Sequence, residues 1–366
     1  MAKTIDWVSL NLVPGLGVHS YWRLIGRFGS PDVVLKSSRK DLLRVDGIRE
    51  KQIAGLFSQA DPYESGQQEL NRMSVFGAEI VAYEDPFYPQ LLKQLIDPPP
   101  VLYVLGRKEL LLTQAVAMVG SRAATTYGQR VAFSFAGSLA DMGLTVVSGL
   151  ALGIDAQSHA GALSRGGNTI AVLGCGLDVV YPRQNNSLYK RVAKHGLLVS
   201  EYPSGTRPEG FRFPARNRII AGLSRGVVVV EAARKSGSLI TAQMALDNNR
   251  EVFAVPGQVD SFKSEGAHYL LQQGAKLVQR VEDIVEELGV ENVIAAKVDD
   301  EAGWKKDSDL DPDVQSLLQH IDAYPQLRES LLEKSKMSPA RVSELLLFLE
   351  LDGLIEMLPG DMLRRV

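Results

Sequence analysis

Five arginines stand between positions 207 and 225 (Arg207, Arg212, Arg216, Arg218 and Arg225) against one acid, Glu209, with Phe211 and Phe213 interleaved. Guanidinium groups take phosphates bidentately, and aromatic faces stack bases without choosing among them, worth roughly 1–3 kcal/mol per base, so this composition suits single-stranded nucleic acid. Arg216-Asn217-Arg218-Ile219-Ile220-Ala221 also reads as a helix with core Ile and Ala positions, which leaves a second reading: an arginine tied to a buried carboxylate such as Asp155 or Glu231. Small residues recur where apolar runs end, at Gly120-Ser121-Arg122, at Ser148-Gly149 leading into Gly153-Ile154-Asp155, and at Gly174-Cys175-Gly176. Glycine admits close backbone approach, and the Ser121 and Ser148 hydroxyls can donate to oxyanions, so three such loops together predict a phosphate-binding rim rather than three unrelated tight turns. Arg122, Arg183 and Lys190 add positive charge at or just after other strand ends.

Bond-making chemistry is harder to find. Ser236-Gly237-Ser238-Leu239-Ile240-Thr241 has neither a nucleophile elbow nor a His/Asp partner pattern, so Ser238 reads as a helix N-cap or a phosphate holder. His159 reads as a structural histidine and Cys175 as a small buried residue. No G-x-x-x-x-G-K-[ST] occurs, and neither GSRAATTYG nor Gly174-Cys175-Gly176-Leu177-Asp178-Val179 completes a dinucleotide fingerprint. One cysteine and five scattered histidines make no metal cluster. The expectation is a binding protein with no catalytic residue, cofactor or metal.

These loops need a scaffold, and 366 residues that are 45% hydrophobic suggest two or three domains. From 115 to 288 the runs AVAMVG, TVVSG, TIAVLG, LLVSEY, VVVVEA, EVFAVPG and AKLVQ alternate with amphipathic helices. Nearly continuous apolar strands imply burial on both faces, hence an α/β, extended Rossmann-like doubly wound parallel sheet with its ligand crevice at the strand carboxyl ends. Residues 1–66 read as a small helical module (helix-hairpin-helix or SAM-like) with glycine turns at Val13-Pro14-Gly15-Leu16-Gly17 and Val45-Asp46-Gly47-Ile48. Such turns either hold a DNA phosphate or simply end helices. The Rossmann-like domain spans 67–290, and an acidic linker spans 291–313. Residues 314–366, with Ser338 and Pro339 opening a third helix before a terminal hairpin, suggest a winged helix.

Net charge is -3, but residues 113–280 hold 18 basic and 10 acidic side chains while 281–313 hold 3 and 12. The basic middle is where the strand-end loops lie. The N-terminus has Asp6 and Asn11 where a signal peptide needs an apolar core, and no run reaches the ~18 apolar residues of a membrane span. A lone thiol fits a reducing cytoplasm.

Residues 120–278 resemble the DprA/Smf family, the DNA-processing protein of natural transformation. The resemblance rests on VGSR (119–122), SGLALGIDAQSH (148–159), TIAVLGCGLDVVYPRQN (169–185), SEYPSGTRPEGFRFPARNRIIAGLS (200–224), SGSLITAQMAL (236–246) and REVFAVPG (250–257). It implies sequence-independent single-stranded DNA binding by an extended Rossmann domain, protection of the incoming strand, homodimerisation and handover to the RecA recombinase. Carried over by motif, Arg122, Arg183, Arg216 and Arg218 are the DNA-contacting cations, with Asn185, Phe213 and Asn217 beside them. The rim residues Ser121, Ser148, Gly149, Gly153, Gly174, Gly176 and Ser238 complete the site. The resemblance also places self-association and recombinase contact near Tyr269, Leu270, Leu271 and the strand Lys276 to Val278, although Leu270 and Leu271 equally suit a core.

The same superfamily holds LOG-type nucleoside 5′-monophosphate phosphoribohydrolases, with a PGGxGTxxE motif. Here the corresponding stretch, Ser236 to Gln243, has neither the glycine pair nor the glutamate. A sequence-specific transcription factor is disfavoured, because helix 339–352 offers Arg341 against Glu344, Glu350 and Asp352.

Overall fold

The computed structural model describes residues 3–58, 61–290, 312–321, 326–335, 337–351, 355–358 and 360–365. The chain divides into two compact units, Met1–Ala295 and Ala296–Val366. The expected acidic linker lies outside the described residues except at 312 and 313.

The first unit is built on nine strands: β1 (Glu79–Ala82), β2 (Val101–Gly106), β3 (Ala115–Val119), β4 (Thr145–Ser148), β5 (Thr169–Leu173), β6 (Leu197–Ser200), β7 (Gly226–Val229), β8 (Glu251–Ala254) and β9 (Lys276–Leu277). They lie in the order β1-β2-β6-β5-β4-β3-β7-β8-β9. The run from β6 to β9 is parallel throughout, whereas β2 is antiparallel to both β1 and β6. The sheet is thus parallel-dominated with an antiparallel extension at one edge, an arrangement the apolar runs alone did not disclose.

Alternation along β3 shows why the strands are apolar throughout. Ala115, Ala117 and Val119 enter one core with Ile219, Ile220 and Ala242, while Val116 and Met118 enter another with Ala132, Leu139 and Ile154. Side chains of successive strand residues leave on opposite faces, so helices on both sides require both sets to be apolar. The third core joins Trp7, Leu10, Tyr21 and Leu24 of the N-terminal helices to Tyr103, Ala171 and Leu198 of the sheet. The Trp22 indole N–H also donates to the Pro98 carbonyl at 2.7 Å. The N-terminal helices therefore share a core with the sheet they cover.

The second unit packs helices Pro312–Gln319, Arg328–Ser335 and Pro339–Leu351 against strands β10 (Gln326–Leu327), β11 (Ile355–Leu358) and β12 (Met362–Arg365). Its core includes Val314, Leu317, Leu331, Val342, Leu345, Leu349 and Leu363. β12 pairs antiparallel with both β11 and β10, which gives the winged-helix hairpin a short third strand.

Candidate nucleic-acid interface

The loops after β3, β4 and β5 converge on a pocket of about 70 Å³ lined by Arg122, Gly149, Ala151, Leu152, Leu173, Gly174, Cys175, Tyr181, Pro182, Phe213 and Arg216. No acidic residue lines it. The loop after β4 depends on positive-φ backbone at two positions: Gly153 at φ 74° opens the helix Ile154–Ser164, and the fully buried Leu150 sits at φ 55°. A left-handed leucine is costly unless its surroundings enforce it. Asn185 supplies that enforcement by donating to the Leu150 carbonyl at 2.9 Å and the Ala151 carbonyl at 3.1 Å.

Above the pocket stands a stacked tier. The Phe213 ring lies 5.3 Å from that of Tyr181 at 28°, and the exposed Arg122 guanidinium lies 5.4 Å from the Phe213 centroid. Gly174 makes this possible, because a Cβ there would come within 2.9 Å of Phe213 Cδ1. A planar cation and two rings at the mouth of a pocket floored by glycine and alanine can hold a phosphate and stack a base.

Beneath the tier the arginines diverge. Arg216 is buried, and one of its Nη atoms donates to the Gly149 carbonyl at 2.9 Å and also to the Val172 carbonyl. Burial lowers its pKa, partly countered by Asp155; burial likewise raises that of Asp155, countered by Arg216. Asp155 in turn accepts from the amides of Gly149 (3.1 Å) and Ala151 (3.3 Å), so this charge pair ties the β4 loop to the sheet. Arg218 is spent on Glu201 and on Asp97 at 3.5 Å. Arg212 pairs with Glu209 at 3.2 Å while lying against the rings of Tyr202 and Phe211, and Arg225 donates to the Leu288 carbonyl at 2.7 Å. Arg122, Arg183 and Arg207 remain exposed without an ion pair among the described residues.

Several rim residues have other duties than those expected. Ser148 is fully buried and donates to the Met118 carbonyl at 2.7 Å, so its hydroxyl faces the sheet and not a ligand. Ser121 donates its amide to the Glu231 carbonyl at 2.7 Å, and the Gly176 amide donates to the Thr206 carbonyl at 3.0 Å. Gly149 and Gly153 make room, the first for the Arg216 guanidinium and the second for the Ser121 and Arg122 carbonyls. Ser236, not Ser238, caps the helix Gly237–Asp247, with Ser238 buried at its second position. Asn217 accepts from Arg216 Nε at 3.3 Å. At the far edge of the sheet Leu270 and Val278 are core residues that offer no side chain to a partner. Tyr269 is half-buried under Arg234, Leu271 packs against the core, and Lys276 pairs with Glu287 at 2.9 Å. Both β9 side chains, Lys276 and Leu277, are exposed, and Leu277 is the apolar one.

Tyr181 and Leu152 escaped the sequence reading. Tyr181 stands within the YPRQN run, but nothing local marks its ring as stacking on a residue of another loop. His159 is fully buried, with Nδ1 2.7 Å from Thr169 Oγ1. That hydroxyl donates to the Val146 carbonyl at 2.8 Å, so His159 Nδ1 carries the proton and Nε2 is left without a partner. Burial, helped by Arg216, lowers its pKa to about 3, and burial raises the Cys175 thiol to about 11. At neutral pH His159 is therefore neutral but too weakly basic to hold a proton, and Cys175 stays a thiol, so neither is poised as a general base or a thiolate nucleophile. No group of three His, Cys, Asp or Glu side chains suited to a metal occurs among the described residues, nor a helix long and apolar enough to cross a membrane.

A family model described as DNA recombination-mediator protein A matches residues 79–289, and one described as DprA winged helix domain matches residues 305–361. The chain is 34% identical to Protein Smf of Synechocystis over 97% of this chain and 96% of that one. It is 45% identical to the DNA processing protein DprA of Bacillus subtilis over 59% of this chain and 73% of that one. Among solved structures, DprA of Streptococcus pneumoniae aligns with TM-score 0.70 and 37% identity, covering 78% of this chain and 99% of that one. DprA of Helicobacter pylori, whose structure is described as revealing a single-stranded DNA binding mode, aligns with TM-score 0.53 and 32% identity, covering 58% and 95%.

Proposed function

We propose, from the premise that this chain belongs to the DprA family of DNA recombination mediators, that it binds single-stranded DNA without regard to sequence. One observation carries the reading: Arg122, Phe213 and Tyr181 form a stacked cation and ring tier at the mouth of a pocket whose lining has no carboxylate. Ring faces accept any base and a guanidinium accepts any phosphate, whereas discrimination among bases needs donors and acceptors aimed at base edges. Duplex keeps its bases stacked inside, so the rings engage only an unpaired strand. Arg183, exposed on the turn after Pro182, supplies a further cation toward the same strand.

In this reading the protein covers incoming DNA during natural transformation and homologous recombination, keeps it open, and passes it to the RecA recombinase in the cytoplasm. It works as a homodimer through the β9 edge, where Leu277 is 45% exposed and one side of the strand has no neighbour in the sheet. Two crevices in a symmetric pair raise avidity for one long strand.

Binding of oligo-dT and of a matched duplex, titrated against salt, tests the first step. The single strand is expected to bind tighter, with a log–log salt slope of about -0.7 per phosphate neutralised. Equal affinity for both would refute it. Recombinase filament formation on DNA precoated with single-strand binding protein tests the second step; no acceleration at saturating protein refutes loading and leaves the binding claim standing.

A further inference from the structure

Residues 18–51 hold eight basic and four acidic side chains, whereas residues 1–17 hold one of each and 52–112 hold four and eight. The N-terminal helices thus carry a concentrated positive charge that the crevice does not use. Three of the four acids are spent on neighbours: Asp32 on Lys36 at 3.5 Å, Asp41 on Arg44 at 3.2 Å and Glu50 on Arg39 at 2.5 Å. What remains is Asp46 against Arg23, Arg27, Lys40, Arg49 and Lys51, all exposed and without an ion pair among the described residues.

Four of these cations are gathered by the fold. On the helix Val18–Phe28, Ser20, Arg23 and Arg27 are spaced three and four apart and so share one stripe. Ser20 accepts from Gln52 Nε2 at 2.8 Å, and the Arg23 guanidinium occupies the place a Cβ on Gly47 would take. The stripe therefore faces the turn Val45 to Ile48 and the segment after it, which carries Arg49 and Lys51. Gly47 is exposed at φ 74°, and the turn is closed by the Ile48 amide donating to the Val45 carbonyl at 3.1 Å. Packing accounts for Gly15 and Gly55, where a Cβ would come within 2.7 Å of the Lys51 and Pro14 carbonyls respectively. It does not account for the unpaired Arg23 against an exposed turn, with Arg27 on the same helix stripe and Arg49 and Lys51 just after the turn.

We infer that this face of the N-terminal helices is a second nucleic-acid site, one that grips the phosphate backbone of duplex DNA. The choice of duplex follows from what the face lacks. Residues 18–51 include no exposed Phe, Tyr or Trp, so nothing there can stack an unpaired base, in contrast to the crevice with its two rings. A face of cations alone reads charge density, and a duplex offers one phosphate charge per about 1.7 Å of axis. The protein would then hold the duplex that flanks a single-stranded stretch while the crevice holds the stretch itself.

The test titrates a labelled blunt duplex into the full chain presaturated with unlabelled oligo-dT. Duplex binding is expected to persist, with a log–log salt slope of up to about -3.6 for four cations. Replacing Arg23, Arg27, Arg49 and Lys51 together by Gln is expected to abolish most of that binding and its salt slope, while leaving oligo-dT affinity and the thermal transition unchanged. Complete displacement of the duplex by oligo-dT, or wild-type duplex affinity in the folded fourfold variant, overturns the inference. Failure of oligo-dT to bind at all bears on the crevice alone, because the duplex titration still reads the second face.

Discussion

Replacing Arg216 by Ala separates a structural cation from a DNA contact. In the folded chain the guanidinium is buried against Asp155 and satisfies the carbonyls of Gly149 and Val172. Its removal strands a buried carboxylate and two acceptors, a class of change that costs about 3–5 kcal/mol. At about 2–4 °C per kcal/mol for chains of comparable size, the transition of the first unit is expected to fall by roughly 6–20 °C. The loss has a pH signature. Burial already holds the Asp155 pKa above its ordinary value and Arg216 opposes that rise, so the variant carboxyl titrates higher still. A carboxyl whose folded pKa exceeds its unfolded one takes up a proton on folding, and stability then falls as pH rises between the two values. The deficit relative to wild type is therefore expected to shrink on acidification. Calorimetry across pH reads both effects, and oligo-dT titration well below the lowered transition reads the third: affinity of the folded variant within about threefold of wild type, against about a tenfold loss for Arg122→Ala, whose exposed charge-assisted phosphate contact is worth at least about 1.5 kcal/mol. A variant with an unchanged transition and strongly weakened binding would refute this reasoning and make Arg216 a direct contact.

Gly174→Val pushes a side chain into Phe213, and loss of one stacked base, about 1–3 kcal/mol, predicts a drop in oligo-dT affinity of roughly tenfold; an unchanged titration would mean the ring does not stack DNA. His159 titrates at about 3 when folded and near 6.5 when unfolded, so the unfolded chain takes up the proton first and stability falls with pH. Between about pH 7.5 and pH 5 that amounts to about 2 kcal/mol, which His159→Leu is expected to remove from the denaturation profile; parallel profiles would exclude the assignment. Leu277→Glu, on the open edge strand, is expected to yield monomers in light scattering, and a folded variant that stays dimeric would move the interface elsewhere.

What could be read from the residues, and what could not, divides along the range of the forces involved. The parallel strands β3 to β8 were legible because burial on both faces writes a nearly unbroken apolar run into each. The pairing direction of β1 and β2 was not, since the run Val101 to Gly106 is as apolar as its neighbours and direction is set by what it meets. Charge composition located the basic middle of the chain, and strand-end position marked Arg122, which the fold leaves exposed at the pocket. It could not tell Arg218 from Arg122, because Glu201 and Asp97 approach Arg218 only through the fold. Ser148 shows the same limit: a hydroxyl at a strand end looks available until the Met118 carbonyl of the adjacent strand claims it.

The position of the pocket has its own cause. In open α/β sheets ligands sit where the strand order reverses, here between β3 and β7, beside the N-terminus of the helix Thr126–Asp141. That place is already taken. Glu231, buried after β7, accepts from the Thr125 amide at 3.1 and 3.2 Å and from the Thr125 hydroxyl, and Gly128 leaves room for its carboxylate. An internal anion thus satisfies the helix terminus that would otherwise attract a phosphate. With the usual cradle filled, the open space shifts to the ends of β3, β4 and β5. There the groups proposed to meet DNA are Arg122 and two rings, a set that suits a continuous strand better than the single phosphate of a bound nucleotide.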